Sequence, residues 1–267
     1  MPTNTKALRV RIKSVTSTLQ LTKAMELVAS SKIRRANEAM QNGRQYAAAL
    51  ESTVQLLCTD GECLKSPYMQ KRDGGRTRLV IIAGDRGLAG GYNANVFRLA
   101  REFPDAEFIP VGKRACERFS KTVNSSEHFS FFEAGELSDK LCRDFAEGQY
   151  DRLGIIWTKY VSVMTQEALV TWLLPLERKE GEGSAVIEFE PDGLTVLDNT
   201  VREYVAGMIT VLARESFASE VAARRMAMDS AGKNARQMID DLQLEYNRAR
   251  QGAITQEITE IVAGSGS

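Results

Sequence analysis

One histidine, His128, serves a chain of 267 residues, and the four cysteines, Cys58, Cys63, Cys116 and Cys142, never adopt the CxxC spacing of zinc and redox sites. With no Cys, His and Asp constellation in the sequence, neither a resident metal nor a histidine base is expected. His128 reads as solvated or structural, and the thiols read as buried and inert. Cys58 and Cys63 flank a Gly-containing turn, so a conditional disulfide stays open, because geometry and not spacing decides it. No run of about 18 apolar residues exists, so no segment is expected to enter a membrane. The N-terminus, MPTNTKALRV, has neither the apolar core of a secretory signal nor the Arg- and Ser-rich character of a transit peptide. A bacterial, cytosolic product is the expectation.

Net charge is zero, yet it is unevenly distributed. Residues 1–57 carry nine Lys and Arg against three Asp and Glu, whereas residues 200–267 carry eight against nine. A basic N-terminal helix suits nucleic acid, an anionic membrane or an acidic protein surface, and charge alone does not rank them.

A 4-3 spacing runs unbroken through Leu8, Ile12, Val15, Leu19, Thr22, Glu26, Ala29, Ile33, Ala36, Met40, Gly43, Ala47, Leu50, Val54 and Leu57. No proline interrupts it. At about 1.5 Å per residue this helix would be roughly 80 Å long, too long to be buried in a small domain, which argues for a coiled coil. A second proline-free pattern runs from near Val201 to Val262, with small residues (Ala218, Ala222, Ala223, Ala227, Ala231, Ala235) that let a partner helix approach closely. Pairing of the two end helices is expected.

Between them strand and helix signals alternate: RLVIIAG (Arg78 to Gly84), a helix over 93–103, EFIPVG, helices over 113–119 and 137–147, then LGIIWTKYV and ALVTWLLPL. The fold class is therefore α/β: a long antiparallel coiled coil of N- and C-terminal helices flanking a small Rossmann-like domain. The expected divisions are 1–58, 59–199 and 200–267. An edge strand is expected over Ala185 to Phe189, and Trp157, Trp172, Phe131 and Phe132 read as sheet core.

The segment GDRGLAGGYN, from Gly84, follows a strand and precedes a helix, the setting in which glycine-rich loops cradle phosphate. Its spacing is neither GxGxxG nor a P-loop, so the plain reading is a tight loop with Asp85 and Arg86 pairing locally. In ARQGAITQEITEIVAG (Ala249 to Gly264), Gln251, Thr255 and Gln256 share a helix with Ile254, Ile258 and Ile261, a combination that suggests a surface for another protein.

Three stretches resemble the gamma subunit of F-type ATP synthases: RIKSVTSTLQLTKAMELVASSKIRRA (Arg11 to Ala36), DRGLAGGYNANV (Asp85 to Val96) and Glu215 to Gly264 with its NRARQ, ITQE and EIV. The resemblance implies a central rotor shaft inside a ring of alpha and beta subunits, with its foot near the epsilon subunit and the ring of c subunits. It implies no catalysis by this chain, which would fall to the beta subunits, no cofactor, no nucleic-acid partner and no direct membrane insertion. The location would be peripheral, on the cytoplasmic face of a bacterial membrane. Arg224, Gln251 and Thr255 match family positions in contact with a loop of the beta subunit, and Met25 matches the methionine of TKAM, near the acidic lever of beta. Leu19 and Leu21 depart from the family pattern, as do Gly232 and Gly252, where better helix formers are usual. Two other classes fit the pattern less fully: an α/β enzyme with helical dimerisation arms, and a coiled-coil scaffold.

Overall fold

A computed structural model of the chain describes residues 5–72, 74–119, 124–178 and 189–265. In chain order its elements are α1 (Thr5–Leu57), β1 (Thr77–Ile82), α2 (Tyr92–Ala100), β2 (Glu107–Val111), α3 (Lys113–Phe119), α4 (Phe131–Ala146), β3 (Arg152–Tyr160), β4 (Gln166–Leu174) and α5 (Gly193–Ser265). Two compact units result, one of Met1–Ala29 with Arg225–Ser267 and one of Ser30–Arg224. Most of the expected edge strand, residues 185–188, lies outside the described residues.

In the larger unit the strands form one sheet in the order β2-β1-β3-β4, with β1 parallel to both neighbours and β4 antiparallel to β3. The helical crossovers between the parallel strands cover both faces, so β1 is buried on both and reads as an unbroken apolar run. Val80 and Ile82 join α4, the end of α1 and the first third of α5 in one core, with Leu153, Ile155 and Trp157. Leu79 and Ile81 alternate to the other face and pack with Val96, Ala100, Ala115 and Ile156. This is the two-residue period of a strand, resolved into two cores.

Two helix starts lie earlier than the periodicity indicates, each for a capping reason. Ser130 and Glu133 form a reciprocal capping box that begins α4 at Phe131. Phe131 and Phe132 thus occupy the first turn and are exposed, Phe132 at 73%, which corrects their reading as sheet core. Trp157 is buried, but Trp172 is partly exposed, edge-on to Phe103 and covered by Arg152. Asp192 accepts from the Thr195 amide at 2.8 Å and from its hydroxyl at 2.9 Å, which starts α5 at Gly193 instead of near residue 200. Cys58 and Cys63 are separate free thiols: the sulfur of Cys58 lies 3.4 Å from Met69 Sδ, and Cys63 donates to the Gly193 carbonyl. Burial pushes both thiols up to about 11.

Within the larger unit α1 and α5 touch closely where α5 carries Gly207. A Cβ there would lie 2.3 Å from Leu50 Cδ1, so no side chain fits. Glu215 ties three elements together, accepting from Arg44 of α1 at 2.6 and 3.0 Å and from the Tyr160 amide at the end of β3. Ser216 and Ser219 of α5 satisfy the backbone of Thr158.

The smaller unit is an antiparallel pair. Gly232 lies against Thr22 and Leu19, and Arg9 donates to Tyr246 Oη at 3.5 Å while lying over its ring. Buried or half-buried positions of α5 continue to Ala249, and residues 251–264 are exposed at every position.

Candidate functional site

Two separate places carry the residues singled out by sequence. The first is the loop between β1 and α2, docked on α5 inside the larger unit. Gly84 meets Glu220 so closely that a Cβ would lie 2.6 Å from the Glu220 carboxyl carbon. The Gly84 amide donates to Asn93 Oδ1 at 2.9 Å, and the Arg86 amide donates to Glu220. Arg224, one helical turn beyond Glu220, pairs with it at 2.5 Å and donates to the carbonyls of Arg86 and Gly87 at 3.4 Å each. Tyr92, at the start of α2, donates its hydroxyl to the Ser216 carbonyl at 3.0 Å. Glycine is required at 84 because the α5 carboxylate occupies the space of its side chain.

Glu220 is 2% exposed, and burial pushes its carboxyl up, against the pull of Arg224. Asp85 behaves oppositely. Burial raises it, but hydrogen bonds from Ser125 Oγ and the amides of Ser126, Lys113 and Glu127 outweigh that and hold it below the usual carboxylate range. Asp85 therefore binds the start of α3 and the 125–127 segment, not Arg86 as the sequence suggested. A loop with a carboxylate behind Gly84 and its amides turned to Asn93 and Glu220 is built to hold α5, and it would repel a phosphate. Leu88, at φ 60°, is presented outward by this loop and is exposed.

The second place is the end of α5. Gln251 and Thr255 are exposed, and the Thr255 hydroxyl donates to the Gln251 carbonyl at 2.9 Å, so its lone pairs are what remain for a partner. Ile254, Ile258 and Ile261 are exposed beside them, Ile261 at 70%. Met25 is half-buried on α1, more than four turns, or about 24 Å, beyond Arg9 and therefore well removed from Gln251 and Thr255 within the smaller unit. Within the smaller unit Gln251 and Thr255 come together, and Met25 lies apart from them. Glu220 and Asn93 are additions the sequence reading missed, although Glu220 stands four residues before Arg224 in the favourable helical order.

A model of the family described as ATP synthase matches residues 4–267. The chain is 40% identical over 280 residues to the ATP synthase gamma chain of Ruminococcus albus, a match that takes in 98% of both chains. The chain belongs to the ATP synthase gamma chain family. Another member, the sodium-ion-specific gamma chain of Acetobacterium woodii, is 37% identical over 298 residues, covering 99% of each. A gamma-like fold is also seen in a chain of the Euglena gracilis mitochondrial ATP synthase, captured with OSCP, F1 and c-ring in rotational state 3. There the TM-score is 0.69 at 18% identity, over 98% of this chain and 93% of that one.

Proposed function

We propose that the chain is the central rotor shaft of an F-type ATP synthase, carrying torque between an ion-driven ring of c subunits and a catalytic head of alpha and beta subunits. The observation that carries this reading is near-full-length identity to gamma chains. The shaft performs no catalysis; that belongs to the beta subunits. Its mechanical element is α5, one uninterrupted helix of 73 residues that holds both the sheet-packed stretch and the exposed end. The basic N-terminal half of α1 suits an acidic partner.

Contacts with the beta subunits are assigned to Met25, Arg224, Gln251 and Thr255. Arg224 is only 13% exposed, so its contribution comes mainly through the loop it fixes, with Leu88 at the surface. The epsilon subunit and the c ring are the proposed partners of the sheet-bearing unit. No described helix is long and apolar enough to cross a membrane. Peripheral placement at the cytoplasmic face of a bacterial membrane is the matching location. Co-purification is the direct test: a tagged chain expressed in its own cell should bring down alpha and beta subunits with ATPase activity, and a preparation free of both would end the rotor reading.

A further inference from the structure

A second feature of the larger unit has no part in the rotor reading. Lys32, Arg35, Ala36 and Ala39 lie on one face of α1 at the i, i+3, i+4 and i+7 positions. Together with Ala213, Arg214 and Phe217 of α5 and the 126–129 segment, they line a half-open cavity of about 560 Å³. That is within the range of small-molecule sites. Phe129 and Phe217 supply apolar wall, with the Lys32 ammonium 6.0 Å above the Phe217 ring.

The cavity is positively charged. Lys32 is paired with Glu127 across it, while Arg35 and Arg214 are exposed and have no carboxylate partner among the described residues. Two cations are thus left over. Ser126 also belongs to the wall, with its side chain packed beside Gly112.

We infer that this cavity binds an organic phosphate. Charge matching decides the class: two uncompensated arginines suit a group carrying about −1.5 to −2 at neutral pH with three acceptor oxygens better than a single carboxylate. The volume exceeds what inorganic phosphate needs, and the two phenylalanines offer a place for an apolar or aromatic body. A nucleotide and a sugar phosphate share this chemistry, and the choice of probe separates them. The inference is independent of the shaft assignment.

Calorimetry on the full chain with ADP, glucose 6-phosphate and inorganic phosphate, without magnesium, tests it. The expected result is one site per chain, at which an organic phosphate binds and inorganic phosphate competes. Arg35→Gln and Arg214→Gln should each weaken binding about tenfold, the effect of one charge-assisted contact. Both side chains are exposed, so both variants should keep the wild-type melting temperature. Arg101→Gln and Gly87→Val, outside the cavity, should leave binding unchanged. The inference is overturned if none of the three probes binds, if affinity stays within about twofold in both arginine variants, or if Gly87→Val abolishes binding, which would put the ligand in the glycine loop.

Discussion

Arg224→Met isolates the energetic role of the pair beneath the glycine loop. The substitution keeps most of the side-chain volume and removes the charge. Glu220 is then left 2% exposed, against Gly84 and near Asp85, with only the Arg86 amide still donating to it. Breaking a buried pair from one side costs about 3–5 kcal/mol. The lower end is expected, because the carboxyl can relieve itself by taking up a proton. The sign with pH follows from the direction of its shift. Burial already raises the folded Glu220 above its ordinary value of 4.5, and loss of Arg224 raises it further. A carboxyl that binds its proton more tightly folded than unfolded stabilises the fold while protonated, and that contribution is lost as pH rises from the ordinary value through the raised one. The deficit of the variant should therefore be small near pH 4.5, grow through mildly acidic pH and level off above the raised value.

Urea unfolding followed by Trp157 and Trp172, both in the sheet-bearing unit, reads this directly. The expected loss is about 3 kcal/mol at neutral pH, shrinking by at least half towards pH 4.5. The exposed pair Arg34–Glu38, at 3.5 Å with side chains 89% and 65% exposed, is the control, and Arg34→Met should cost no more than about 0.5 kcal/mol. A loss for Arg224→Met below about 1 kcal/mol, the same at every pH, would mean that Glu220 is solvated after all and that the loop is held by something else.

Gln251→Ala with Thr255→Ala should leave the helix content unchanged and give a graded fall in ATP-driven ion pumping by the assembled complex, since each neutral hydrogen bond is worth about 0.5–1.5 kcal/mol; unchanged pumping would take both off the contact surface. Amides of residues 251–264 should exchange fast in the free chain and slowly in the complex, because a single exposed helix of that length is marginal in water; slow exchange in the free chain would show that something else already covers it. Gly232→Ala should stabilise the antiparallel pair by about 0.5–1 kcal/mol in thermal unfolding, because a Cβ there would meet only Thr22 Oγ1 at 3.7 Å and Leu19 Cδ1 at 3.9 Å; a destabilised variant would show that glycine is needed for packing.

What could be read in advance divides along physical lines. Every residue of the 4-3 series in α1, including Glu26, is buried or half-buried, because a long helix that buries one continuous stripe obeys a single period. The apolar Val10, Leu21 and Leu27 fall outside the series and are exposed. The strand cores were equally open, since β1 is covered on both faces. Capping chemistry was present in the letters, as Ser130 with Glu133 and as Asp192 with Thr195, but periodicity dominates a reading by eye and moved both helix starts inward. The docking of the glycine loop was not legible at all. It depends on Glu220 and Arg224 arriving from more than a hundred residues away, and nothing local to GDRGLAGG names its partner. The exposure of residues 251–264 was legible in sequence, because Gln251, Thr255 and Gln256 share one helix with Ile254, Ile258 and Ile261.

The pairing of Arg9 with Tyr246 also sets the order in which the protein can be made. Those residues are 237 apart in sequence. At a synthesis rate of about 5–20 residues per second, the start of α1 waits roughly 10 to 50 s for its partner to leave the ribosome. During that time its apolar stripe is uncovered, while the strands β1 to β4 already have all their neighbours. The sheet can condense first, and the two ends close last. The nascent N-terminal helix is thus the segment most in need of a chaperone, and mutations that lower its apolar character should ease synthesis even as they weaken the finished pair.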